Sequence, residues 1–149
     1  MHTIVLIEPK IPQNTGTIAR LCAATNSKLI LVGELGFSLD DKYLKRAGLD
    51  YWEHVIWEHE PNLELFLEQK KNTLPYLLSS KATTLYTDVS YSANQAIWFG
   101  SETEGLSERI KVLHKDRLVT IPMANKQIRS LNLANSVSIV LYEAIRQNS

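Results

Sequence analysis

The sequence predicts an α/β fold built on a parallel sheet, and two patterns carry that expectation. Short apolar runs recur at Ile4–Ile7, Leu29–Val32, Tyr76–Leu78, Ala96–Phe99 and Leu118–Ile121, nearly continuous instead of alternating. A strand covered on both faces reads this way, because each of its sides meets apolar neighbours. Segments with helical spacing lie between the runs, and strands alternating with helices indicate a parallel sheet flanked by helices.

Each remaining element has its own reason. Val55-Ile56-Trp57 reads as a further short or edge strand. Ile18, Leu21, Cys22 and Thr25 repeat at helical spacing after Asn14, a residue type suited to capping a helix by accepting from its first amides. Leu63, Phe66 and Leu67 do the same after Pro61, which suits a first helical turn. The clearest helix is the last, where Leu133, Val137, Val140, Leu141, Ala144 and Ile145 form one apolar stripe. No repeat, low-complexity tract or linker interrupts the pattern, so residues 1–149 read as a single domain.

Composition narrows the class. At 149 residues, 44% hydrophobic and 21% charged, the chain can bury a sizeable core. It holds no apolar stretch near the roughly 20 residues that span a bilayer. Ile4–Ile7 is too short for a secretory signal and lacks a basic lead, and the lone Cys22 excludes an intramolecular disulfide. A cytoplasmic location is expected. With 16 basic and 16 acidic residues, affinity for nucleic acid must come from local clustering. Lys42, Lys45 and Arg46 in DDKYLKRAGLDYW form such a cluster, open to reading as a solvated helix face or as a phosphate contact.

Parallel sheets bind ligands at the carboxyl ends of their strands, so the following loops are the places to search. The first runs from Glu8 to Gly16 and leads into a helix bearing Arg20; Pro9 and Pro12 stiffen it. The second, Gly100-Ser101-Glu102-Thr103-Glu104-Gly105-Leu106, has two glycines that permit close backbone approach, while its carboxylates disfavour phosphate. The third follows Ile121-Pro122-Met123 and reaches Arg129-Ser130-Leu131-Asn132, where Ser130 or Asn132 caps the final helix. Taken singly, each is also an ordinary connection. The four histidines lack zinc-ligand spacing, no G-x-S-x-G elbow occurs, and Cys22 sits on an apolar stripe as a buried thiol.

Together, in this order, the three loops resemble the signature motifs of the SPOUT, or α/β-knot, RNA methyltransferase superfamily. The matching residues are Pro12-Gln13-Asn14-Thr15-Gly16 through Arg20, Gly100 to Leu106, Ile121 to Met123, and Ser130 to Leu133. The likeness covers essentially the whole chain. It is nearest to the minimal members that methylate the ribose 2′-oxygen of the wobble nucleotide, cytidine or modified uridine 34, of leucine tRNAs. Ile7–Pro12, Leu35-Gly36-Phe37, Asp40-Asp41-Lys42, Arg46–Tyr51 and Tyr142-Glu143-Ala144 support that subgroup, as does the absence of an added RNA-binding domain.

The resemblance implies a C-terminal trefoil knot, a homodimer with the first and last helices at its interface, S-adenosylmethionine as cofactor, tRNA as partner, and no metal or membrane. It implies a cofactor slot around Leu78, Gly100, Ile121, Ser130 and Leu131, with glycine keeping the approach open. It implies Arg20 as the catalytic arginine, with Asn14, Glu102 and Asn132 positioning it and the loops, and Ser130 touching cofactor or substrate. A guanidinium is a poor base, so electrostatic stabilisation of the ribose oxygen is favoured over deprotonation, which stays open. Tyr142 matches a family tyrosine near the active centre. Lys42, Lys45, Arg46 and Arg129 are expected on tRNA phosphates. Glu104 departs from the basic or neutral residue common in relatives, which puts RNA contact by that loop in doubt. Competing readings are methylation of ribosomal RNA or another tRNA site, a non-catalytic RNA-binding module of the same fold, and a flavodoxin-like nucleotide binder. The last needs a phosphate loop, from which Pro9 and Pro12 remove two amides.

Overall fold

A computed structural model of the chain describes residues 1–48 and 51–149, and the side chains of all but 47 and 48 among these. Leu49 and Asp50, inside the Arg46–Tyr51 segment used above, lie outside the described residues. The strands are β1 (Thr3–Ile7), β2 (Lys28–Val32), β3 (Ile56–Glu60), β4 (Tyr76–Leu78), β5 (Ala96–Phe99) and β6 (Leu118–Val119). The helices are α1 (Pro12–Thr25), α2 (Lys42–Gly48), α3 (Leu63–Lys70), α4 (Glu108–Leu113) and α5 (Leu133–Gln147). The strands form one sheet in the order β3-β2-β1-β5-β4-β6, with every pairing parallel.

Strand alternation explains the continuous apolar runs. Ile4, Leu6, Leu29, Leu31, Ile97 and Phe99 pack on one face with Ile18 and Cys22 of α1 and Val137, Val140 and Leu141 of α5. Val5, Ile7, Ile30, Val32 and Trp98 face the other way, against Phe66 and Leu67 of α3 and Ile110 of α4. Both faces are covered, so neither set of positions has reason to be polar. Cys22 is fully buried, and burial pushes its thiol up to about 12.

Several boundaries differ from the sequence reading. The edge strand runs over Ile56–Glu60 instead of Val55–Trp57; it pairs only with β2 and leaves Ile56, Trp57 and Glu58 exposed, so burial does not mark it. The last run is a strand only at Leu118–Val119, followed by an isolated parallel bridge between Thr120 and Leu85. Asn14 does not cap α1: the helix begins at Pro12, and Ile11 at the cap position makes no side-chain bond. Pro61 precedes α3, whose cap is Asn62 accepting from the Leu65 amide at 3.1 Å. At α5, Asn132 is the cap, accepting from the Asn135 amide at 3.0 Å. Helices α2 and α4 are seven and six residues long, too short to show a period. Among the described residues no helix is long and apolar enough to cross a membrane.

Two histidines tie the fold to pH. His114 is buried edge-on to Trp98, 5.0 Å between ring centroids, and its Nε2 has no hydrogen-bond partner among the described residues. Burial, then the charge of Arg117, lowers its pKa. His2 is lowered too, chiefly by burial, and its Nδ1 accepts from the Gln95 amide at 3.2 Å. Unfolding lets both rings bind protons more readily, so their contribution is present above the ordinary histidine range and lost as pH falls below about 6.5. The thermal midpoint is expected to fall as pH drops from 7 toward 5, and His114→Phe to flatten part of that fall. A profile identical in the variant would contradict this assignment.

Candidate active site

The carboxyl ends of β5, β4 and β6 open onto a cleft of about 530 Å³, within the usual size of a small-molecule site. Leu78 and Ser79 come from the end of β4, Phe99 and the 100–107 turn from β5, and Thr120 and Ile121 from the end of β6. Arg129, Ser130 and Leu131 close it from the approach to α5. The wall is mixed: Leu78, Phe99, Ile121 and Leu131 supply apolar surface, and Ser79, Lys81, Lys111 and Ser130 supply polar groups.

The 100–107 turn is held by its own backbone. The Gly105 amide donates to the Ser101 carbonyl at 3.0 Å, and the Glu104 amide to Ser101 Oγ at 3.1 Å. Gly105 has φ +67°, and a Cβ on Gly100 would stand 2.0 Å from the Gly105 carbonyl carbon. Gly100 therefore lets the turn fold onto itself. The space on its Cβ side is filled by protein, a packing reason for glycine here, and Gly100 also lines the cleft.

Glu102 links this turn to the first loop. Its Oε1 accepts from the Lys10 amide at 2.8 Å, and its Oε2 from the Ile11 amide at 2.8 Å and from Asn14 Nδ2 at 3.2 Å. Asn14 Oδ1 in turn accepts from Asn132 Nδ2 at 3.1 Å, and the Arg129 guanidinium donates to the Thr103 carbonyl at 3.3 Å. Each of the three loops is thus bonded to both others. The Lys10 and Ile11 amides between Pro9 and Pro12 are occupied by a carboxylate and not free for phosphate, which counts against the flavodoxin-like reading.

A profile of the SpoU rRNA Methylase family matches residues 1–142. The chain belongs to the SpoU family. A tRNA (cytidine(34)-2'-O)-methyltransferase of Yersinia pestis is 46% identical, with 99% of this chain and 94% of that one covered. A solved structure concerning 2-OH methylation of C/U34 on tRNA has TM-score 0.90 and 38% identity over 99% of this chain and 96% of its own. A SpoU methyltransferase of Streptomyces viridochromogenes, solved with the cofactor AdoMet, has TM-score 0.84 and 26% identity over 98% of this chain and 60% of its own.

Within this SpoU fold the expected residues divide into groups. Leu78, Gly100, Ile121, Ser130 and Leu131 all line the one cleft, together with Glu102 and Arg129. Asn14 and Asn132 stand behind it as links between loops. Arg20 is elsewhere: it is exposed on α1, its guanidinium carbon 4.8 Å from the Tyr51 ring centroid, and it does not line the cleft. Among the described residues Asn14, Glu102 and Asn132 make no hydrogen bond to it; their bonds run between the loops. Tyr142 is exposed on α5 and also outside the cleft. Lys42, Lys45 and Arg46 are exposed on α2. Glu104 is exposed at the cleft's edge. Lys81 was missed, although Ser79-Ser80-Lys81 directly follows β4 and the strand-end rule that found the other loops applies to it equally.

Glu102→Gln keeps the shape but replaces one accepting oxygen by an amide that faces a backbone donor. Urea unfolding is expected to show a loss of about 1.5–3 kcal/mol, the scale of a hydrogen bond to a charged group. Unchanged stability would mean the carboxylate does not hold the loops together.

Proposed function

We propose that the chain uses S-adenosylmethionine to methylate the ribose 2′-oxygen of wobble nucleotide 34, cytidine or modified uridine, in leucine tRNAs. The observation that carries the reading is the convergence of all five expected cofactor residues on one cleft at the strand ends. The names of the full-length relatives support the substrate.

The cleft suits the cofactor's chemistry. Leu78, Ile121 and Leu131 would take the adenine, and Ser130 with the backbone of the 100–107 turn and of 120–121 would take its polar edge and ribose. Bound S-adenosylmethionine supplies a methyl group on a sulfonium leaving group. The protein's own task is to align the 2′-oxygen with that methyl and stabilise charge as the hydroxyl proton departs.

Arg20, always charged, is assigned to the ribose oxygen or the adjacent phosphate. Its distance from its own cleft is why the homodimer belongs to the proposal. Helices α1 and α5 pack side by side and form the expected interface, across which Arg20 meets the ribose. The C-terminal trefoil knot, the single domain over residues 1–149 and a cytoplasmic location belong to the same reading. Support for the knot is the family match over residues 1–142. Arg129 at the cleft and Lys42, Lys45 and Arg46 on α2 are assigned to phosphates.

With labelled S-adenosylmethionine and tRNA from a strain lacking the enzyme, label should appear as a 2′-O-methyl group at nucleotide 34. Arg20→Ala should lower kcat by about 10²–10³-fold, the usual cost of removing a group that stabilises an oxyanion. Label in ribosomal RNA alone would shift the substrate, and no binding of S-adenosylmethionine would sink the reading.

A further inference from the structure

Helix α2 is a basic and aromatic face in a chain of zero net charge. Its sequence, Lys-Tyr-Leu-Lys-Arg-Ala-Gly, holds three cations and no acid. Leu44, 2% exposed, is its buried apolar anchor, while the neighbouring Tyr43 is 43% exposed. The Lys42 ammonium stands 5.1 Å from the Tyr43 ring centroid, within cation–π range. Helix α2 packs on α1, where Arg20 lies over Tyr51. Cation and aromatic ring are therefore paired twice at one corner of the molecule.

Among the described residues, Asp40 and Asp41 leave the face its basic character. Asp41 Oδ1 accepts from the amides of Tyr43 and Leu44 at 2.7 and 3.3 Å, so its charge serves the start of the helix. Asp40 lies 3.5 Å from Lys45 with both side chains exposed, and such a pair yields readily to a stronger anion.

A single exposed tyrosine is unremarkable on a soluble protein. An exposed ring set among exposed cations is suited to a polyanion that also presents flat apolar faces. Single-stranded RNA is that partner, since a duplex hides the faces of its bases. We propose that Tyr43 is a stacking platform for an unpaired base of the RNA substrate, with Lys42, Lys45 and Arg46 on the flanking phosphates. The inference rests on RNA being the substrate, and adds a base contact where the reading above has phosphate contacts alone.

The test compares wild type, Tyr43→Ala and Tyr43→Phe in two measurements: anisotropy with a labelled, unstructured oligoribonucleotide, and steady-state methylation of tRNA. Tyr43→Ala should bind the oligonucleotide between about fivefold and a hundredfold more weakly, the range for loss of one base–aromatic stack. Its salt dependence should keep the wild-type slope, because no phosphate contact is removed. It should raise the KM for tRNA more than it lowers kcat, and Tyr43→Phe, which keeps the ring, should restore both binding and KM. Equal binding by wild type and Tyr43→Ala, or a Tyr43→Phe variant as weak as Tyr43→Ala, overturns the proposal. Methylation of tRNA with KM unchanged in Tyr43→Ala also overturns it while leaving the enzyme reading intact. Tyr43-dependent binding of the oligonucleotide without any tRNA methylation does the reverse.

Discussion

A carboxylate has about four acceptor positions, and the Glu102 carboxylate meets three donors, two of them backbone amides from the loop that follows β1. Those amides precede Pro12 at the start of α1, where no side chain caps the helix. Glu102 bonds the two amides just ahead of the helix and so fixes the entry of α1 against the turn after β5. Charge-assisted bonds of this kind are the stronger class, and those from Lys10 and Asn14 are part-buried, unlike the exposed Lys45–Asp40 pair. The Asn14–Asn132 and Arg129–Thr103 contacts extend the link to the approach to α5.

The sheet makes this link possible. β1 and β5 are neighbours in register, Thr3 opposite Ala96 and Leu6 opposite Phe99, so their carboxyl ends finish side by side although more than ninety residues separate them. Gly100 lets the chain turn back immediately on leaving β5, which brings Glu102 to the loop after β1 within two residues. The same turn forms one wall of the cleft. A loop cluster joined in this way holds its shape with few moving parts, and a site whose geometry is set before the ligand arrives spends less ordering entropy on binding.

Legibility in the sequence followed burial. The five strands covered on both faces announced themselves as apolar runs, and α5 as a stripe, because packing on two sides leaves no choice of residue. The edge strand β3 was legible only in part, over Val55–Trp57, since Ile56, Trp57 and Glu58 answer to solvent, and α2 was not, with Leu44 buried among neighbours that are exposed. Asn14 was misread as a cap because an asparagine near a helix start suits either a local amide or a distant side chain, and only the register of β1 with β5 decides between them. The cleft residues were legible through ordered motifs at strand ends. The distance of Arg20 from the cleft was not, because spacing along a helix does not state which neighbour that face meets. Lys81 was open to the same strand-end argument as Gly100 and Ile121 but sits in a segment of small polar residues without a motif to draw attention to it.

The central claim is that Glu102 assembles the site before any ligand binds. Amide hydrogen exchange at Lys10 and Ile11, measured on the protein without cofactor or RNA, tests it most directly. The account predicts slow exchange at both positions, as for amides bonded to a fixed carboxylate, with faster exchange at the amide of exposed Lys126, which has no hydrogen-bond partner among the described residues. Rapid exchange at Lys10 and Ile11 without cofactor, slowing only when it is added, would mean that the ligand builds the site and Glu102 merely follows.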